Sequence, residues 1–208
     1  MSKIRWISIA IVVFVLQELF VPVLRGQNRQ EVVVTIEGLS SGDKLAHFYR
    51  GEELRKQMKF DRAMEEYKKV ISGGELCGKE SEAHYDIGLC YLWLMKLDTA
   101  EAIFREVIKT YPNDREAVAY SIYCLSWIDV QRGSFRRAIE RLQQLIAQNL
   151  YSEKEFCARA QFEIGRIYLV FMHDYKQAEM AFRKVLKKYP DTEIINHPFL
   201  LKLKKEMD

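Results

Sequence analysis

From Lys44 to Pro190 the apolar residues keep helical time. An alanine is followed four residues later by a ring or leucine, and three after that by Val or Leu, all on one helical face. The set recurs as Ala63–Tyr67–Val70, Ala100–Phe104–Val107, Ala138–Leu142–Leu145 and Ala178–Phe182–Val185, with alanines 37 to 40 residues apart. Ahead of each set stands a small residue with a larger one three positions on: Gly51 and Leu54, Gly88 and Tyr91, Ser126 and Asp129, Gly165 and Tyr168. The third copy departs furthest from the pattern. Each unit reads as two antiparallel helices whose closest approach is made by the small residues, while the ring and the valine fill the groove against the next unit. The expected architecture is an all-α, right-handed α-solenoid of about four helical hairpins, with units near 44–77, 81–114, 119–152 and 158–192.

Helix boundaries follow from local chemistry. Tyr111-Pro112 and Tyr189-Pro190 close the second and fourth units, because proline cannot continue a helix. Asn113 and Asp114 offer oxygens to the free amides heading the third unit, and Ser152 to Glu155 has capping-box spacing ahead of the fourth. Beyond Pro190, Pro198 suits a first helical turn. Phe199, Leu200, Leu203 and Met207 then alternate with lysines, so residues 193–208 read as a helix capping the open end of the repeat stack.

The N-terminus has a different character. Lys3 and Arg5 precede an apolar run from Trp6 to Leu16, broken by Gln17 and Glu18 and resumed from Leu19 to Leu24. These are the proportions of an export signal. As a spanning helix the segment would bury Glu18 at a cost on the order of 2–3 kcal/mol. Residues 1–26 are therefore expected to be a signal peptide or N-terminal membrane anchor, with Gly26 the nearest approach to a cleavage site. No Cys near the run's end supports a lipid anchor. A buried helix packed on the domain is the remaining structural reading. Residues 27–43 read as a linker, in which Glu31 to Glu37 is β-prone and could be lent to a partner as a strand.

Composition narrows the function. The chain is 49% apolar and 29% charged with a net charge of +3, and its signs are interspersed, which argues against nucleic acid as a partner. Only 4 Pro and 10 Gly suit a helix-rich protein. His47, His84, His173 and His197 form no ligand pair, and Cys77, Cys90, Cys124 and Cys157 lack Cys-x2-Cys spacing. No phosphate loop or nucleophile elbow is present. Neither metal, cofactor nor catalysis is expected. Export would allow a disulfide, with its partners open.

The residues Gly88-Leu-Cys-Tyr91 with Ala100, Phe104, Val107 and Pro112, and Gly165-Arg-Ile-Tyr168 with Ala178, Phe182, Val185 and Pro190, resemble the tetratricopeptide repeat signature. The resemblance spans about residues 44–192. His47 and His84 replace the usual tryptophan at the fourth position, and the uneven spacing implies that some first helices are a turn longer than the consensus. The Tyr-Pro closures look like the variant common in bacterial cell-envelope members, such as the periplasmic partner of the Tol–Pal system and the lipoprotein of the outer-membrane barrel assembly machinery. The likeness implies a protein or peptide partner on a concave face lined by the first helices. By register, the fifth position is Phe48, Tyr85, Tyr123 and Phe162. The ninth is Glu52, Leu89, Trp127 and Arg166, and the twelfth is Arg55, Leu92, Val130 and Leu169, with Trp93 beside them. Such rings either serve a partner or pack on the linker or C-terminal helix of the same molecule. Aromatic fifth positions do not fit the carboxylate clamp of chaperone adaptors. Two roles follow as expectations: an envelope scaffold holding a partner segment in its groove, or an assembly subunit making contacts through its repeat edges.

Overall fold

The computed structural model describes residues 43–72, 77–147 and 154–205, Lys204 by its backbone alone. The expectations for residues 1–42, and for a capping box opening at Ser152, lie outside the described residues. Four hairpins follow one another: α1 (Lys44–Lys56) with α2 (Phe60–Ile71), α3 (Glu80–Trp93) with α4 (Leu97–Thr110), α5 (Arg115–Gln131) with α6 (Phe135–Ala147), and α7 (Lys154–Arg166) with α8 (Tyr175–Lys188). A π-helical turn, Ile167–Phe171, extends α7, and a 3-10 turn at Glu193–Asn196 leads into α9 (Pro198–Lys205). Each helix packs on the next, α3 also on α5, and α9 on α8. The result is an all-α solenoid closed at its C-terminal end by α9, with no strand among the described residues.

First and second helices differ in burial. The second helices bury one stripe: α4 hides Ala100, Phe104 and Val107 and exposes most of the rest. The first helix α3, flanked by α2, α4 and α5, buries eleven of its fourteen residues, so it shows no amphipathic side. The longer first helices are α5 and the extended α7, each starting four residues before its repeat unit begins. Asp43 caps α1 by accepting from the Leu45 amide at 2.9 Å. Asp114 caps α5 by accepting from the Ala117 amide at 3.0 Å, and it also accepts from the Ser81 hydroxyl at 2.5 Å. The cap at the head of α5 is Asp114 rather than Asn113. Pro198 opens α9, whose Leu200 is fully buried and whose Phe199 ring lies 4.7 Å from that of Phe182.

In three of the four hairpins the crossing is a lock of glycine and ring. A Cβ built on Gly51, Gly88 or Gly165 would stand 2.6 Å from the ring of Tyr67, Phe104 or Phe182 respectively. Only a glycine lets the ring lie flat on the opposing backbone. The partner alanines 63, 100 and 178 of these hairpins are buried, as is Ala138 of the third.

Each hairpin turns through one left-handed residue: Met58, Met95, Gly133 and His173, with φ of 59°, 56°, 73° and 54°. Past it the chain bonds back into the first helix, Lys59 to Leu54, Lys96 to Tyr91 and Ser134 to Asp129, which satisfies a terminal carbonyl of the helix. In the fourth hairpin the bond runs from Asp174 to Tyr168, one residue longer. The crossing residues agree: Gly51 to Ala63, Gly88 to Ala100 and Ser126 to Ala138 are 12 apart, and Gly165 to Ala178 is 13. The π turn at Ile167–Phe171 takes up that extra residue.

Candidate functional site: the inner wall of the first helices

The fifth-position rings of the expected site are buried, as its Leu89 and Leu92 are. Phe48, Tyr85, Tyr123 and Phe162 are between 1% and 5% exposed, so they offer almost no free face. Three lean on the lock ring of their own hairpin: Phe48 on Tyr67 at 6.0 Å, Tyr85 on Phe104 at 5.7 Å and Phe162 on Phe182 at 5.2 Å. Phe162 also lies 4.8 Å from the His197 ring, beside the C-terminal cap. Burial lifts the Tyr85 and Tyr123 hydroxyls well above the usual phenol range.

Across the first helices the rings join. Tyr85 of α3 lies 5.7 Å from Tyr120 of α5, Tyr120 lies 4.9 Å from Phe156 of α7, and Phe156 lies 5.5 Å from Tyr123. This aromatic line spans three hairpins. Tyr120 and Phe156 escape the sequence reading for different reasons. Tyr120 sits at the second position of its unit, a wall position by register, while Phe156 lies in the extra turn ahead of the fourth unit and has no register place.

Charge flanks the line at both ends. At the first hairpin Arg55 lies 3.7 Å from Asp86 of α3 and 3.6 Å from Glu52, and it donates to the Tyr67 hydroxyl at 3.3 Å. The Asp86 carboxylate, followed by burial acting the other way, holds the Arg55 guanidinium above its ordinary range. At the fourth hairpin Arg166 donates to Glu163 at 2.6 Å; burial works against its charge and Glu163 overcomes that. Asp86 and Glu163 both occupy the sixth position, directly after the ring, and that recurrence was the available sign of them. Between these pairs Leu89, Leu92 and Val130 are buried, Trp127 is partly covered, and Trp93 is exposed at the end of α3.

Cys77, Cys90, Cys124 and Cys157 are free thiols. Burial pushes the Cys90 and Cys124 thiols up to about 12, so neither is a ready nucleophile near neutral pH. His47 and His84 share the fourth position but differ in partner. His47 is 2.6 Å from Glu66, whereas His84 is 3.6 Å from Glu106 and its Nδ1 has no hydrogen-bond partner. No group of three or more potential metal ligands converges among the described residues, and none of their helices is long and apolar enough to cross a membrane.

Comparison with known proteins agrees with this geometry. Tetratricopeptide repeat family models match residues 82–114 and 125–191. No curated protein sequence matches significantly. Among solved structures, the chain is similar to BtubC (BKLC) from P. vanneervenii, with 17% identity and a TM-score of 0.59 over 73% of this chain and 66% of that one. The chain therefore spans just under two thirds of that relative. It is also similar to a Podosopora anserina putative kinesin light chain with nearly identical TPR-like repeats, with 15% identity and a TM-score of 0.58 over 79% and 84% of the two chains. A third is YrrB, described as a TPR protein with an unusual peptide-binding site, with 19% identity and a TM-score of 0.53 over 80% and 76%. At these identities the likeness is one of fold. Residues 82–114 and 125–191 of this chain are tetratricopeptide repeats, carried on an α-solenoid of the kind those proteins share.

Proposed function

We propose that this chain is a non-enzymatic scaffold that holds an extended segment of a partner protein along the inner wall of its first helices. The observation that carries this reading is the aromatic line from Tyr85 through Tyr120 and Phe156 to Tyr123, framed by the Arg55–Asp86 and Glu163–Arg166 pairs. Buried rings fix the wall's shape, and the half-covered Glu52, Tyr120 and Trp127 supply the surface a guest would meet. Aromatic and Arg groups dominate the energetics of protein recognition. YrrB carries a peptide-binding site on the same fold, which makes a peptide-like guest the natural choice. Lys3, Arg5 and the apolar run to Leu24 support a place in the bacterial cell envelope, exported to the periplasm or held at the membrane by the N-terminus.

Photo-crosslinking in the native cell tests this. A benzophenone side chain at Trp127 or Glu52 should capture one and the same protein, whereas at Arg105 or Glu179, exposed on α4 and α8, it should not. Equal capture from the outer positions, or none from the inner ones, removes the groove reading. Replacing Tyr85 or Tyr123 with Ala is a poorer test, because each ring is buried and its loss costs about 3–5 kcal/mol of stability.

A further inference from the structure

The turns joining first to second helices all lie at one edge of an up-and-down stack, and that edge carries most of the large hydrophobics exposed among the described residues. The described residues include seven exposed large hydrophobics, and four of them sit here: Met58, Trp93, Met95 and Tyr175. Met58 and Met95 occupy the left-handed position of their turns, a conformation that costs a side-chain-bearing residue about 1–2 kcal/mol. Their side chains are 70% and 59% exposed, so packing does not compensate that cost. The other three exposed hydrophobics, Met180, Phe199 and Leu201, belong to the C-terminal end.

Cations also gather at this edge. Lys56, Lys59, Arg62, Lys96, Arg136 and Lys176 lie in the turns or in the helical turns beside them, and none is in an ion pair among the described residues. Lys59 bonds to the neutral Gln57, and Lys96 lies over the Tyr91 ring. The acids at the edge are fewer: Asp98, Glu101 and Asp129 are committed to arginines, Asp174 caps α8 at the fourth turn, and Asp61 stands outside any ion pair among the described residues. At the opposite edge Lys68, Lys109, Lys154, Lys187 and Lys188 are likewise outside any ion pair among the described residues, but they stand among Glu80, Glu82, Asp114, Glu116, Glu155 and Asp191, and no large hydrophobic is exposed among the described residues of those turns.

Unpaired cations interleaved with tryptophan, tyrosine and methionine are the chemistry of a surface that meets an anionic bilayer. Lysine and arginine are drawn to the headgroups, and the amphipathic rings settle at their level. We infer that the edge formed by the turns at Met58, Met95, Gly133 and His173 is a docking surface for anionic phospholipid. A bilayer is favoured over an acidic protein because residues 1–26 themselves read as a membrane-directed segment. This surface meets the inner wall only at Trp93, at the end of α3, and its lysines are outside the wall, so the lysine replacements test it independently of the groove.

Vesicle flotation with the full chain tests the assignment, comparing phosphatidylcholine alone with vesicles containing about one third phosphatidylglycerol. The apolar run near the N-terminus contributes to both vesicles, so the reading is the gain in affinity brought by phosphatidylglycerol. Joint replacement of Lys56, Lys59, Lys96 and Lys176 by Gln should cut that gain at least about tenfold. Trp93→Ala should lower it further, and about 0.5 M salt should abolish it. The matched replacement of Lys68, Lys69, Lys109 and Lys187 at the opposite edge, with circular dichroism to confirm folding of both variants, should leave the gain in place. The inference is overturned if wild type shows no gain from phosphatidylglycerol, which is the result an acidic protein partner would give. Equal loss in the two lysine sets overturns it as well, by reducing the effect to net charge.

Discussion

Between α3 and α4 the gap is closed by bare backbone at Gly88 under the flat Phe104 ring. Between α5 and α6 the same two repeat positions carry Ser126 and Leu142, a larger residue facing a smaller one. The Ser126 hydroxyl is satisfied within its own helix, donating to the Tyr123 carbonyl at 2.6 Å. Three residues on, Asp129 is 1% exposed and is held by Arg137 and Arg141 of α6, which donate through Nε at 2.7 and 2.6 Å. One hairpin is thus pinned by shape, the other by shape of the opposite sense plus a buried carboxylate between two arginines. The repeat demands a volume at the crossing and a tie between the helices; it does not demand a particular residue. Hairpin 4 makes the same point along the chain axis, since it keeps the Gly165–Phe182 lock and moves its extra residue into a π turn.

Deletions should expose that difference most strongly. Removing Tyr91 shortens the 12-residue interval between Gly88 and Ala100 and rotates one helix against the other by about 100°. The second hairpin should then lose its lock, and the cooperative thermal transition should disappear. Removing Val170 from the π turn restores the interval found in the other hairpins, and should cost no more than about 1–2 kcal/mol in urea unfolding. If both deletions are equally damaging, the π turn is not where the extra residue is absorbed.

Next in size is the tie in the third hairpin. Asp129→Ala leaves two arginines without their buried partner and should cost about 2–4 kcal/mol, toward the lower end because Arg137 is 48% exposed. A loss below about 1 kcal/mol would show that Ser126 and Leu142 hold the hairpin unaided.

Smaller is a pH effect in the second hairpin. Burial holds His84 below the ordinary imidazole value, with Glu106 opposing. Tyr111 stands edge-on to the ring, and Glu106 lies 3.6 Å from Nε2. A folded value below the unfolded one means that the unfolded chain takes up the proton first. The His84 contribution is therefore intact above about pH 6.5 and is lost as pH falls through the depressed folded value. The melting temperature of wild type should fall between about pH 7.5 and pH 5.5 by more than that of His84→Gln. Identical pH profiles would refute this.

The turns give the smallest effect. Gly133 occupies the left-handed position that Met95 occupies one hairpin earlier. Met95→Gly should raise stability by about 0.5–1 kcal/mol, the relief of strain outweighing the added freedom of the unfolded chain. Gly133→Met should lower it comparably.

These contrasts also mark what the sequence could disclose. The lock residues were legible because glycine, alanine and ring recur at fixed spacing, and each type has a steric reason to be there. Asp129 reads in sequence as the weakest match of the third unit; nothing local shows that Arg137 and Arg141 come back to it from the next helix. The wall was placed by register, which located Phe48, Tyr85, Tyr123 and Phe162 but not their depth. Depth depends on helices on several sides, and α3 has an apolar or small residue facing nearly every direction. Phe156 was hidden for a simpler reason: the turn it occupies lies outside the repeat.

A double-mutant cycle at the second hairpin bears most directly on the claim that complementary volume at each crossing builds the solenoid. Gly88→Ser and Phe104→Leu, alone and together, transplant the pair of the third hairpin into the second, with stabilities read from urea unfolding. Gly88→Ser alone should cost about 2–3 kcal/mol through overpacking and Phe104→Leu about 1–2 through lost burial, and the double variant should recover at least about 1 kcal/mol of their sum. Simple additivity of the two losses would contradict the account.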